Sequence, residues 1–327
     1  MAKAAAVVED AATAIALRRN MVKGGRLVLK VILRTLTTCP PSRTESSKMS
    51  EQLVQFKKQG HIGIFTLNRP KAMNAINGAV SQQFEAHLEA FEKDSDLWVG
   101  IVCSSHPKVF CAGADLGAIG SDVPLATAKG GFAGFVHYPR RKPMIAAVDG
   151  FALAGGCEIV LACDLVVASE SSKFGVPEVK RSLVAAAGGL FRLPQKIPKV
   201  IAMEMILTGD RITANRAYEL GFVNKIVPKG EALQEAIKLA DRITCNAPLA
   251  VFEAKAATDA MFQAALNDKD AFDRSNFAMR YLSKTADFRE GPKAFMEKRK
   301  AKWTGKSGKK ADEWLMKQLS EKQNSKL

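Results

Sequence analysis

One stretch constrains this chain more than any other: Ile145-Ala146-Ala147-Val148-Asp149-Gly150-Phe151-Ala152-Leu153-Ala154-Gly155-Gly156-Cys157-Glu158-Ile159-Val160-Leu161-Ala162. A short apolar run bounded by Asp149-Gly150 reads as a buried strand, and the apolar run after the glycine pair reads as a helix. A strand handed to a helix through bare glycines is an α/β unit. The free N–H groups at that helix start, with the helix dipole behind them, favour a developing negative charge. Glu158 falls in the first turn among Cys157, Ile159 and Val160. It is either an ordinary acid complementing the dipole or, given those neighbours, a buried carboxylate without an evident cation and so a functional candidate.

The same alternation extends along the chain. Residues 53–56 and 62–67 read as a strand pair about a Gly60 turn, and 78–94 set Val80, Phe84, His87, Leu88 and Phe91 on one helical face. Buried strands are predicted at 98–103, 144–148 and 165–168. From Ile197 to 299 the pattern is helical, with a break at Arg211–Thr213 and an interruption at Gly221–Pro228. The expected class is an α/β core followed by a helical subdomain.

With 327 residues and 47% hydrophobic content the chain holds about two domains' worth of core, which excludes full disorder and a disulfide-stapled miniprotein. Its apolar runs are too short for a membrane-spanning helix. The six cysteines (39, 103, 111, 157, 163, 245) form no CxxC pair or metal-ligand spacing and read as reduced, mostly buried thiols. The four His (61, 87, 106, 137) make no triad order, and no metal, nicotinamide or flavin site is evident.

The net charge of +15 is concentrated at the ends. Residues 1–48 carry nine basic and three acidic side chains, and 293–327 carry eleven and four, which leaves 28 against 26 in between. A basic nucleic-acid face built into the core is therefore not expected. Residues 1–48 have two open readings. They form a basic, partly amphipathic mitochondrial presequence, with Glu9 and Asp10 out of character, or they lie upstream of a start at Met49. The chain ends Ser325-Lys326-Leu327, a peroxisomal address that an import receptor reads at a free C-terminus. Peroxisome is the expected location and mitochondrion the alternative. The polar stretch from Gly305 to Asn324 is expected to project into solvent.

Two more segments carry candidate chemistry. Phe110-Cys111-Ala112-Gly113-Ala114-Asp115-Leu116 follows a strand and is rich enough in small residues to bring bare N–H groups against a ligand, unless it is a plain tight turn. Phe174-Gly175-Val176-Pro177-Glu178-Val179 sets an acid in a loop ahead of Ala185-Ala186-Ala187-Gly188-Gly189.

Together with Asn68-Arg69-Pro70-Lys71-Ala72-Met73-Asn74-Ala75, these segments resemble the enoyl-CoA hydratase/isomerase, or crotonase, family over about residues 51–303, with the motifs in the family's order. The resemblance implies a crotonase-like spiral of ββα turns at 49–210, a helical trimerisation and CoA-pocket subdomain at 211–303, and a basic tail at 304–327. It also implies a homotrimer or a dimer of trimers. Backbone N–H groups of Ala114 and Gly155 would form the oxyanion hole for an acyl-CoA thioester. Glu158 and Glu178, twenty positions apart, would be the two catalytic acids sharing one water. Because both acids are present, hydration of a 2-trans-enoyl-CoA is preferred. The alternatives are a Δ3,Δ2-enoyl-CoA isomerase, a carnitinyl-CoA-type dehydratase and, in a different class, an RNA-binding homologue. Lys71, Ala72, Ala112, Gly113, Asp115 and Leu116 match CoA- and substrate-binding positions. Phe295, Lys298 and Lys302 would reach the nucleotide from a C-terminal helix. The reaction implies no cofactor. Ser182 and Ala185 replace the family's usual Gly and Pro, and Gly117 stands where a Lys is common, so acyl preference is expected to differ. Residues 119–135 are expected to be a mobile wall of the pocket.

Overall fold

The computed structural model describes residues 52–118, 122–264 and 276–324, without the side chains of Met261, Gln263, Ala264, Phe295 and 321–324. The chain divides into a unit Met1–Ser50 and a unit Glu51–Leu327. The expectations for residues 1–48, Cys39 and Ser325-Lys326-Leu327 lie outside the described residues.

The second unit opens with the hairpin β1 (Val54–Gln59) and β2 (Ile62–Leu67), paired antiparallel from Val54↔Leu67 to Gln59↔Ile62. Helix α1 (Gly78–Lys93) follows, started by Asn77, whose side chain accepts from Val80 N at 3.0 Å. Then come β3 (Val99–Ser104), β4 (Val109–Cys111) and the small hairpin β5 (Ala126–Thr127) and β6 (Gly131–Phe132). Strands β7 (Met144–Val148) and β8 (Phe151–Leu153) lead into α2 (Gly155–Leu161). The pattern repeats as β9 (Leu165–Ser169), β10 (Lys173–Gly175), α3 (Gly189–Lys196) and α4 (Lys199–Thr208). It repeats again as β11 (Arg211–Thr213), α5 (Ala214–Glu219), β12 (Lys225–Val227) and α6 (Ala232–Thr244). Helices α7 (Pro248–Ala264), α8 (Ala286–Met296) and α9 (Lys309–Asn324) complete the described elements, with a helical stretch at 276–282.

After the β1–β2 hairpin, each turn of this spiral adds one strand to a six-stranded sheet, β1-β2-β3-β7-β9-β12, and a short one to a second sheet, β11-β10-β8-β4. From β2 to β12 the main sheet is parallel. Its strands are apolar on both faces because both faces are covered. Ile62, Ile64, Val99, Ile101, Ile145, Ala147 and Val167 meet Ala232, Ala236 and Ala240 of α6. Alternate residues, Phe65, Leu67, Val102, Met144, Ala146 and Val166, meet Phe84, Leu88 and Phe91 of α1 and the second sheet. Each fully buried Phe contributes about 2–3 kcal/mol of hydrophobic transfer.

Three expectations need correction. The break at Arg211–Thr213 and the interruption before Pro228 are strands, β11 and β12, that take edge positions in the two sheets. The stretch before the C-terminus is not a simple solvent projection: α9 sets Trp314 against Phe277 and Tyr281, at ring separations of 5.3 and 6.5 Å. Residues 122–135, expected as a mobile wall, include a pinned hairpin. Ser81 Oγ donates to Leu125 O at 2.7 Å, Gly130 N to Glu85 Oε2 at 2.7 Å, and Lys129 Nζ to Tyr138 OH at 2.8 Å. Among the described residues no helix is long and apolar enough to cross a membrane.

Candidate active site

Short strands of the second sheet deliver two loops to one place. β4 and β8 run parallel, so the loop after Cys111 and the turn after Leu153 leave the sheet side by side. A Cβ placed on Gly113 would lie 2.8 Å from Ala154 Cβ and 3.1 Å from Gly155 N, which only a glycine at φ +101° permits. Ala154 itself, the residue that precedes α2, holds φ +50° and ψ −127°, a strained conformation for an L-residue. On the other loop, Ile76 N donates to Gly113 O and Asp115 N to Ile76 O, both at 2.8 Å, so the peptide between them is fixed. Among the described residues no acceptor meets Ala114 N–H or Gly155 N–H. Two such donors, held next to each other, suit an oxyanion.

The opening motif braces the first loop. Asn74 is buried; its Nδ2 donates to Ser104 Oγ at 2.7 Å and Phe110 O at 3.1 Å, and its Oδ1 accepts from Arg69 N at 2.8 Å. Ala112 N donates to Met73 O at 3.1 Å, which ties Ala112 and Gly113 to the short helical turn Pro70–Ala72 that carries Lys71 and Ala72. Lys71 is exposed, as is Leu116. The Asp115 carboxylate pairs with Arg69 at 2.6 Å and caps Gly117 N at 3.1 Å, so its described partners are protein groups.

Glu158, in the first turn of α2, is 3% exposed. Its Oε1 accepts from Gly189 N at 2.9 Å. Burial raises its carboxyl above the usual range, while the backbone of Gly189 and of Ala187 and the Arg192 charge pull the other way. Glu178 lies in the short helix Pro177–Arg181, beyond β10. Burial, with the Glu158 charge adding to it, pushes Glu178 up to about 7. Its Oε2 is buried and without a hydrogen-bond partner among the described residues. One carboxyl is therefore braced by the Gly189 amide and the other is pushed toward its protonated form, with a free oxygen (the arrangement needed to pass protons in opposite directions).

Phe295 and Lys298 are not joined to these residues by any described contact. Correcting the expectation of a shared helix, α8 ends at Met296, and Lys298 takes a left-handed φ of 51°. Arg299 then turns back onto Glu290, at 2.6 and 2.9 Å, and Lys302 N donates to Glu290 Oε1 at 2.7 Å, so Lys298 and Lys302 lie beyond the helix. The Phe295 side chain lies outside the described residues. Phe132 and Gly189 were not singled out by the sequence. The Phe132 ring occupies the space where a Gly155 side chain would stand, with Cε1 2.4 Å from that Cβ position, and no sequence spacing signals it. Gly189 lay in a glycine-rich segment already noted, and its donor role emerges only with the fold.

Comparison with known proteins places these features in context. A family model for enoyl-CoA hydratase/isomerase matches residues 57–306. A probable mitochondrial enoyl-CoA hydratase of Dictyostelium discoideum is 38% identical over 252 residues, covering 76% of this chain and 90% of that protein. A carnitinyl-CoA dehydratase of Salmonella typhi is 38% identical over 263 residues, 79% of this chain and 100% of that protein. The crystal structure of an enoyl-CoA hydratase from Mycobacterium tuberculosis H37Rv superposes with a TM-score of 0.75 at 43% identity, over 78% of this chain and 100% of that one.

Proposed function

The chain belongs to the enoyl-CoA hydratase/isomerase family, and from that premise we propose that it adds water to 2-trans-enoyl-CoA thioesters to give 3-hydroxyacyl-CoA, within β-oxidation or related acyl-CoA metabolism. The observation that carries the reading is the unequal pair Glu158 and Glu178, one accepting the Gly189 amide and the other pushed up to about 7 with a free buried oxygen.

The thioester carbonyl is held between Ala114 N–H and Gly155 N–H. Glu158, the braced carboxylate, takes a proton from water as its oxygen bonds to C3. The C2–C3 π electrons move toward the thioester and build enolate character on its oxygen, where the two amides hold the charge. Glu178, protonated, delivers its proton to C2, and the carbonyl re-forms. The sum is one water added across the double bond; Glu158 ends protonated and Glu178 ionised, and exchange with solvent resets them. Electrons are neither gained nor lost overall, so the reaction calls for no redox cofactor. The proposal assigns CoA binding to Lys71, Ala72, Ala112, Gly113 and Leu116, on the family resemblance of their motifs.

The same groups run dehydration in reverse, and the likeness to a carnitinyl-CoA dehydratase favours that as the second reading. The proposal extends to a homotrimer or dimer of trimers, supported by the exposed apolar face Val200 (75% exposed), Met203 and Leu207 (66%) on α4. It also includes peroxisomal import through a free Ser325-Lys326-Leu327 end, with mitochondrial relatives as the competing precedent.

The test follows the loss of conjugated-thioester absorbance over a panel of enoyl-CoA substrates from about four carbons upward. Turnover should fall by about two orders of magnitude or more in both Glu158→Gln and Glu178→Gln. Flat traces with the parent protein across the panel and with carnitinyl-type substrates would sink the reading. Light scattering reports the oligomer. Imaging a fluorescent fusion with and without the last three residues reports the location.

A further inference from the structure

Arg192 is the fourth residue of α3, and its side chain turns back toward the start of its own helix instead of outward. Nη2 donates to Val136 O at 2.7 Å and Nη1 to Ala187 O at 3.3 Å. The guanidinium passes so close over Gly188, at φ +125°, that a Cβ there would lie 2.3 Å from Nη1. The segment it grips runs into Gly189, whose amide donates to Glu158 Oε1 at 2.9 Å.

We infer that Arg192 is a positioning residue of the hydration reaction: by tying Ala187 to the Val136 segment it holds the 187–189 backbone against Glu158 and keeps that carboxylate aimed. The inference rests on the proposed hydratase reading. Two effects run through one side chain. The forked donor fixes the segment that carries the Gly189 amide, and the positive charge favours the ionised form of Glu158. Other ionisable groups that act on Arg192 or Glu158 are Glu178, Arg140, Lys196 and the thiols Cys157 and Cys163, whose burial keeps them protonated, and His137, Tyr138, Lys255 and Asp259 line the same cavity as Arg192. Among these, Arg192 is the cation whose charge acts on Glu158. The guanidinium also borders a cavity of about 670 Å³ that Arg140, Phe191 and Gln195 help to line, so a small cation can reach its place.

Arg192→Met should lower kcat about 10–100-fold, the cost of a misaimed catalytic group, with KM little changed because Arg192 is not proposed to touch substrate. The acidic limb of the pH profile should move to higher pH, and millimolar guanidinium should restore part of the rate in Arg192→Ala. A second readout needs no turnover: the carbon-13 carboxyl titration of Glu158, assigned by its loss in Glu158→Gln, should also move to higher pH in Arg192→Met. A folded Arg192→Met with the parental titration of Glu158 overturns the inference, even if the parent hydrates no substrate and the functional reading has failed. A moved titration supports it in either case. Should Arg192→Met not fold, Arg192→Lys decides, since it keeps the charge and loses the fork: lowered kcat at parental KM supports the inference, and parental kinetics overturn it.

Discussion

Replacing Gly113 with alanine probes the oxyanion pocket through the backbone alone. The residue holds φ +101°, and its new methyl would meet Ala154 Cβ at 2.8 Å and Gly155 N at 3.1 Å. Neither neighbour is the yielding end of a long side chain; one is rooted on a strained residue and the other is main chain. Backbone strain costs about 1–3 kcal/mol and overpacking adds about 1–3 kcal/mol. Parting the two loops relieves most of that, and it separates Ala114 N–H from Gly155 N–H. A lost oxyanion donor lowers kcat about 10²–10³-fold. The assay is steady-state hydration of a short enoyl-CoA beside a thermal melt. Gly113→Ala should lose about two to three orders of magnitude in kcat, with KM changed far less and the melting temperature lowered. Gly60→Ala is the control: φ is +56° and nothing lies within 4 Å, so it should cost about 1 kcal/mol of stability and leave kcat unchanged. Parental kcat in Gly113→Ala would refute the assignment of the two donors to these loops.

Glu178→Gln should be more stable than the parent at high pH. The fold favours the protonated acid, a contribution complete below the carboxyl's ordinary 4.5 and lost as pH rises to about 7. Glutamine escapes that loss, a gain of about 1–2 kcal/mol after discounting for solvent screening; thermal melts at pH 5 and 8 that keep the same gap between the two proteins would count against it. Asn74→Ala removes three hydrogen bonds at a buried site and should cost about 2–4 kcal/mol in urea unfolding; a loss below about 1 kcal/mol would deny Asn74 its bracing role. Phe132→Ala empties the space beside Gly155 and should raise kcat/KM for longer or branched acyl chains about tenfold relative to the four-carbon substrate. An unchanged chain-length profile would exclude Phe132 from the pocket wall.

The long elements were legible because their burial is periodic. β2, β3, β7 and β9 are continuous apolar runs because neighbouring strands leave neither face to water, and α1 shows Val80, Phe84, Leu88 and Phe91 on one stripe behind an Asn cap. Glu158 was legible from its apolar neighbours, and Glu178 entered through the resemblance to relatives. The second sheet was not legible. β4, β8, β10 and β11 are three residues each, too short to show a period, and they exist as strands because the spiral sets them side by side.

Sequence alone thus determined the α/β class and the helix start after the strand at 145–148, since burial pattern and residue type are local, while its resemblance to a family supplied the groups for acyl-CoA chemistry. The tertiary structure decided what those groups are. Glu178 is held near pH 7 by burial and by the charge of Glu158. Gly113 approaches Gly155 because β4 and β8 pair in parallel, and Arg192 reaches Glu158 through the backbone of residues 187–189. Field, desolvation and hydrogen-bond geometry depend on distances between residues remote in the chain, and only folding sets those distances.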